Sequence, residues 1–394
     1  MRSISLKHYW LIIMIFSTIT NSTFADGDRS FNLGTVGDRA CFIDPNGKPF
    51  FSLGVNHINA IQEHSKEDIF TENFQKNWHS FCLAAREDLS KWHFNTAGYG
   101  APDAIYPLMP FIADCFLERN SNYLSDNEFF YPDVFDPEVQ SQKRSQIEWM
   151  VKHSKSKNLI GYYWTDTPQW DLDRSLKTRG TNWVKAIQEL PTNAPGKVRY
   201  EAYLEECKSA EIEPSDEGFL RIIAREHYRF IGEVTRELNP NALILGERYL
   251  KDDHPDCVLE EAMPYIDVLS IQPGGRVFEA EYFDALYQKY QKPIIICDHQ
   301  CSFATDVYPD TMWQQLESES AVANMYRDYV QEAFSKPYII GYQRCQYIDR
   351  FVEHPGVLKQ GILQEDGNPY EQLASAIKET NTSILKQFNS SIEN

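Results

Sequence analysis

Two aspartates fall where chemistry is done. Asp166 follows the apolar run Leu159 to Thr165, and Asp298 follows Pro293 to Cys297. A carboxylate directly after Ile294-Ile295-Ile296-Cys297 is costly to bury unpaired, so its position points to a task. Two carboxyl groups facing each other across a gap that holds one sugar ring can hydrolyse a glycosidic bond. One protonates the leaving oxygen while the other attacks the sugar or activates water. The competing account is structural, a salt bridge from either aspartate to an arginine such as Arg248 or Arg344.

Residues able to hold a sugar close the other apolar runs. They are Asn56 and His57, then Tyr99, Asp114, Trp164 with nearby Trp170, Glu247 and Arg248, Gln272, His299, and Gln343. Aromatic faces stack on the C–H faces of sugars, and amides, carboxylates and arginine bind hydroxyls in pairs, so the set suits a carbohydrate. The bland alternative for each aromatic is a half-buried barrel edge. Glu247 and Arg248 are adjacent on a strand and face opposite ways, so one of them enters the cleft, and Arg248 is the choice. His57 and His299 could hold the carboxylates, or serve as the base of a lyase. No GxSxG elbow, GxGxxG turn, P-loop or CxxC pair is present, so neither a cofactor nor a metal is expected.

These residues need a frame that gathers strand ends. Eight apolar runs alternate with amphipathic stretches: 50–56, 94–100, 111–117, 159–165, 242–249, 268–272, 293–298 and 338–342. Helical patterns include Glu138 to Ser154, Asp216 to Leu238, Glu279 to Tyr290 and Glu319 to Phe334. This predicts an α/β chain folded as a (β/α)8 TIM barrel, with its site at the C-terminal ends of the strands. The polar segment from about Asp171 to Pro214 is too long for a routine loop. It predicts a long insertion after strand four, either a lid or subsite wall, or an excursion packed on the barrel side.

Arg2 and Lys7 ahead of the apolar run Tyr9 to Ile19, then Thr23-Phe24-Ala25, have the layout of a Sec-type signal peptide. The run is shorter than the ~20 residues of a membrane span. The expected organisation is a signal peptide over 1–25 and one catalytic barrel over 26–394, secreted or periplasmic, with no membrane span in the mature chain. Losing the leader takes the formal charge from −19 to −21, which speaks against nucleic acid and mildly against a densely sulfated polyanion. Eight cysteines in an exported chain permit disulfides, although Cys297 reads as a buried thiol.

Five stretches, in order, resemble the agarase-like glycoside hydrolases of the large retaining (β/α)8 clan. They are Cys41 to His57 (CFIDPNGKPFFSLGVNH), Gly161 to Asp166 (GYYWTD), Ala242 to Tyr249 (ALILGERY), Lys292 to Asp298 (KPIIICD) and Lys359 to Tyr370 (KQGILQEDGNPY). The resemblance implies a retaining exo- or endo-hydrolase of algal galactans or related glycans, with acid/base and nucleophile at the ends of strands four and seven. Similar enzymes carry Asn-Glu at the end of strand four, where this chain has Asp166-Thr167, and a glutamate on strand seven, where it has Asp298. An aspartate is one methylene shorter, which widens the gap beyond the ~5.5 Å of retaining enzymes unless the backbone moves inward. An altered retaining site, an inverting enzyme, or a non-catalytic glycan-binding barrel would each follow.

Overall fold

The computed structural model of the chain describes residues 30–62, 69–352 and 357–393. The leader read in residues 1–25 lies outside the described residues. Strands β1 (Asn32–Val36), β2 (Arg39–Ile43) and β3 (Pro49–Phe50) form a small antiparallel sheet. The barrel strands are β4 (Ser52–Val55), β5 (Thr96–Ala97), β6 (Phe111–Asp114), β7 (Leu159–Asp166), β8 (Leu243–Leu250), β9 (Leu269–Gln272) and β10 (Ile294–His299). After the short strands β11 (Ser302–Phe303) and β12 (Gln315–Leu316), β13 (Ile339–Arg344) completes the barrel. The hairpin β14 (Arg350–Val352) and β15 (Val357–Lys359) follows. The eight barrel strands pair in parallel in the closed order β10-β13-β4-β5-β6-β7-β8-β9. All eight predicted runs are barrel strands, because a parallel sheet buried on both faces leaves continuous apolar runs in the sequence.

The larger helices are α1 (Ile69–Phe74), α2 (Trp78–Lys91), α3 (Pro137–His153), α4 (Leu172–Arg179), α5 (Trp183–Gln188), α6 (Pro195–Ser209), α7 (Asp216–Leu238), α8 (Asp256–Ala262), α9 (Ala280–Tyr290), α10 (Glu319–Ser335) and α11 (Glu371–Glu393). Local chemistry sets their ends. Ser215 caps α7 by accepting from the Gly218 amide, and Asp216 and Glu217 complement the positive end of its dipole. Ser318 caps α10 and Asp136 caps α3 in the same manner. No helix among the described residues is long and apolar enough to cross a membrane.

Two cores result. Outward-facing strand residues such as Ile244, Ile271, Ile294 and Ile296 pack under the helices. Inward-facing Ile112, Ile160, Tyr163, Leu245, Val268, Ile295, Cys297 and Ile340 fill the barrel, whose lower end is stoppered by Phe31, Phe42 and Phe50 of the small sheet. The long insertion expected after strand four is present and is helical, forming α4, α5 and α6. Its aromatic residues explain why: Trp183 stacks on Trp170 at 4.8 Å, and Tyr200 meets Phe219 of α7 at 4.9 Å, so most of it is packed on the barrel side. All eight cysteines are buried free thiols.

Candidate active site

Three barrel strands break their pairing register just before the residue that reaches the mouth. On β7 the register shifts between Tyr163 and Asp166, and on β10 between Ile296 and His299. On β8 the shift falls at Gly246, whose φ of 73° is left-handed. Each bulge reverses the in-out alternation, which would otherwise turn Asp166, Arg248 and Asp298 away from the barrel axis. The backbone on either side of the site is also left-handed at non-glycine residues, with φ 53° at His57 and 43° at Thr167. For a β-branched threonine that conformation is strained, and it is held by a hydrogen bond from the Thr167 amide to the Arg248 carbonyl (3.1 Å).

The result is two aspartates on one guanidinium. Arg248 Nη1 donates to Asp166 Oδ1 at 2.8 Å and Nη2 to Asp298 Oδ2 at 2.7 Å, with a further bond from Nη2 to the Cys297 carbonyl at 3.0 Å. The guanidinium is fully buried and lies 4.1 Å from the centroid of the Tyr99 ring. Gln272 Nε2 adds a 2.6 Å bond to Asp166 Oδ1, and His57 Nε2 lies 3.9 Å from Asp298 Oδ2. Asn56 fixes the floor by donating to the Cys297 carbonyl (2.8 Å) and accepting from the Tyr99 amide (2.9 Å).

The two carboxyls are displaced in opposite directions. Burial opposes ionisation of Asp298, but Arg248 and then His57 overcome it and hold the group well below the usual carboxylate range. At Asp166 burial wins over Arg248, aided by the charge of Asp298, and the group is raised. Asp114, which accepts from the Gly100 amide, is pushed up to about 6 by burial. Burial and then the Lys359 charge bring His57 down to about 3, so it is a neutral ring. Divergent affinities of paired carboxyls are how an acid and a base are told apart.

Asp298 lines a cavity of about 180 Å³ with Arg174, Gln272, Gln300, Trp313 and Cys345. Asp166 sits behind Gln272 and is 4% exposed. So the arginine pairing weighed as the structural account is present, and it is formed at the mouth of the barrel. His57, Asp298 and Cys345 hold ligand atoms within 4.8 Å of one another. Asp298 Oδ2 is already committed to Arg248, and Lys359 adds positive field there, so the set does not suit a cation.

Five of the sequence candidates lie away from the cavity or are otherwise engaged. Trp164 faces outward, donating to the Thr235 hydroxyl of α7 at 3.0 Å. Trp170 is fully buried and donates to Glu247 Oε2 at 2.8 Å. Glu247 points behind the barrel wall, as the choice of Arg248 requires. Gln343 is inside the barrel, donating to Ser52 Oγ at 2.9 Å, and fits only because Gly54 has no Cβ, which would fall 1.9 Å from its Oε1. His299 borders the cavity, but both its nitrogens are engaged, with the Tyr342 hydroxyl (2.8 Å) and the Gly275 carbonyl (2.9 Å), and it stacks on Tyr329. Burial takes it down to about 4, so the ring is neutral, and the two hydrogen bonds leave it no free nitrogen for proton transfer.

Aromatic walls exist, built from residues that closing strand positions do not reveal. Tyr123, in the loop after β6, is 40% exposed and meets Trp313, in the loop between β11 and β12, at 6.3 Å. The Tyr123 hydroxyl is raised by its burial and then by the charges of Asp166 and Asp298. Trp313 Nε1 is a buried donor without an acceptor. Lys359 is 2% exposed, and its charge acts on Asp166, Asp298 and His57.

No protein-family model and no curated protein matches the sequence. Solved structures do. An exo-β-agarase aligns with a TM-score of 0.76 at 16% identity, over 91% of this chain and 66% of its own. The agarase AgWH50C aligns with a TM-score of 0.74 at 16% identity, over 92% and 65%. A GH2 β-galacturonidase from Eisenbergiella tayi aligns with a TM-score of 0.56 at 15% identity, over 90% and 54%. The chain has the barrel fold of these enzymes and spans 65–66% of the length of the two agarases.

Proposed function

We propose that the chain is a glycoside hydrolase that uses Asp166 as proton donor to the leaving oxygen and Asp298 as the ionised partner. The observation that carries this reading is the pair itself. Two strand-end carboxyls meet on one guanidinium at a barrel mouth, one held ionised and the other raised. Contact with a common guanidinium keeps the carboxyls near enough for the ~5–5.5 Å spacing of double displacement, which favours Asp298 as nucleophile over a base for water. Tyr123 and Trp313 supply stacking faces, and the unspent Trp313 Nε1 and the Gln272 amide supply donors for hydroxyls. The likeness in fold to agarases makes an algal galactan the first glycan to try. With the leader read at its start, the enzyme works after export.

A second reading has an observation of its own. Arg248 already neutralises both carboxyls, and Asp166-Thr167 stands where similar enzymes carry a glutamate, which is what a glycan-binding barrel without catalysis would retain. Algal and plant polysaccharides incubated with wild type and with Asp298→Asn separate the two. Hydrolysis requires reducing ends from at least one glycan and a fall on the order of 10⁴-fold in the variant. Binding to a glycan with no reducing ends from any of them leaves the binding barrel.

A further inference from the structure

Lys359 is a buried cation held in reserve. Its residue is 2% exposed, and among the described residues its ammonium forms no ion pair and no hydrogen bond. Its single close partner is the face of Tyr123, 5.6 Å from Nζ to the ring centroid. The nearby acids are otherwise engaged: Asp166 and Asp298 share Arg248, and Asp166 also takes the Gln272 amide. Tyr123 meets Trp313, which lines the cavity together with Asp298, so the ammonium stands at the edge of the same opening, where its charge also acts on Asp166, Asp298 and His57. Most of the side chain is enclosed, so an ammonium with unspent donors at this opening gains by meeting an acceptor that arrives.

We infer that Lys359 and Tyr123 form a subsite for a sugar bearing a single anionic group, a uronate carboxylate or a sulfate ester, next to the Asp166–Asp298 pair. This rests on the glycan reading above and deepens it. A sugar packed against Tyr123 on the side that the ammonium faces brings its rim substituents to Nζ, where a charged oxygen makes a charge-assisted bond and a hydroxyl a weaker one. Trp313 closes the other side of that platform. The formal net charge of −19 disfavours a densely charged polymer, so the ligand carries isolated charges among neutral sugars. Arg248 cannot take this role, because it is spent on the aspartates. Arg344 gives its Nη1 to the His299 and Cys345 carbonyls, and its Nε and Nη2 are sealed from solvent, where a ligand in the opening does not meet them.

The test uses S-linked disaccharides, which bind without being cleaved. They carry galacturonate, glucuronate, galactose 6-sulfate, or the carboxyl-reduced neutral sugar, and each is titrated calorimetrically into the full-length protein. Wild type is expected to prefer at least one charged ligand over its neutral counterpart by roughly 10- to 100-fold. The uronate and sulfate arms identify the source of the charge. In Lys359→Met the ratio falls to near one, while Lys359→Arg keeps most of it. Equal affinity of wild type for charged and neutral ligands overturns the inference, as does a preference that survives Lys359→Met. Should the methionine variant not fold, the wild-type ratio and the arginine variant still decide. Reducing-end release from natural glycans is followed in parallel. Release without charge preference sinks this inference alone, and charge preference without release sinks the hydrolase alone.

Discussion

Glu247 and Arg248 are consecutive residues of β8, yet they anchor two different charge clusters on opposite sides of the barrel wall. In front, Arg248 joins Asp166 and Asp298 beside an open cavity, on strands that bulge and between left-handed His57 and Thr167. Behind, Glu247 lies in a closed network under α3 and α7. His227 Nε2 reaches Glu247 Oε1 at 3.2 Å, Tyr228 and Trp170 donate to Oε2 at 2.6 and 2.8 Å, and Lys143 pairs with Glu118 while lying 3.2 Å from His227 Nδ1. The rear cluster spreads its charge over closely placed donors and leaves only Glu118 Oε2 unpartnered among its carboxylate oxygens. The front cluster leaves strain, unspent donors and two acids displaced in opposite directions. Satisfied polar groups hold a wall together, and unsatisfied ones wait for a ligand.

The largest expected effect comes from cutting the front cluster at its centre. Arg248→Met removes the cation from two buried carboxyls and leaves Asp166 the Gln272 amide and Asp298 the neutral His57, a loss of about 3–5 kcal/mol in urea unfolding near neutral pH. In wild type the Asp298 value is depressed, so its contribution is present above the unfolded value near 3.9 and lost as pH falls through the folded one. The cost of the variant therefore shrinks toward acid pH, where both carboxyls take up protons. A cost that stays the same from pH 7 down to pH 3 would mean that Arg248 acts by packing alone, and the contrast between the clusters would fail.

A smaller effect sharpens the front cluster. Gln272 lowers the Asp166 affinity for its proton by donating to Oδ1. With Gln272→Leu the proton is held more tightly, so the alkaline limb of kcat/KM against pH moves to higher pH, with a plateau loss of about tenfold for one missing bond. An unmoved alkaline limb would remove Asp166 from the role of acid.

The barrel was legible because its strands are buried on both faces, and runs such as Ile294-Ile295-Ile296-Cys297 admit few other uses. Asp166, Asp298 and Arg248 were legible as strand-closing polar residues. Facing was harder to read. Trp164 follows inward Tyr163 by ordinary alternation and so points to α7, but Asp166 lies beyond a bulge that alternation does not predict. Tyr123 and Trp313 sit in long loops, where no periodicity marks which aromatic returns to the mouth. Lys359 lay in a recognisable stretch, but only the folded chain shows that, among the described residues, its ammonium meets the Tyr123 ring and no acid. The helices over 172–209 were hidden by polar surfaces, since α4 buries a single residue, Ser175.

The smallest effect tests the rear cluster. Burial pushes Glu247 up to about 7 against the pull of Tyr228, Trp170 and Lys143, with His227 and Glu118 facing it from α7 and the loop after β6. A raised carboxyl binds its proton more tightly in the folded state. Its contribution is present below the unfolded value near 4.3 and is lost as pH rises through about 7. Glutamine keeps an oxygen for Tyr228 and Trp170 and cannot ionise. Glu247→Gln should therefore match wild type in thermal unfolding at pH 5 and exceed it at pH 8 by about 1 kcal/mol, less than the full shift implies because Lys143 shares the charge. The same variant should leave the kcat/KM pH profile where it was, since Glu247 touches nothing that opens on the cavity. Loss of stability at both pH values, or a displaced profile, would join the two clusters into one functional unit across the strand.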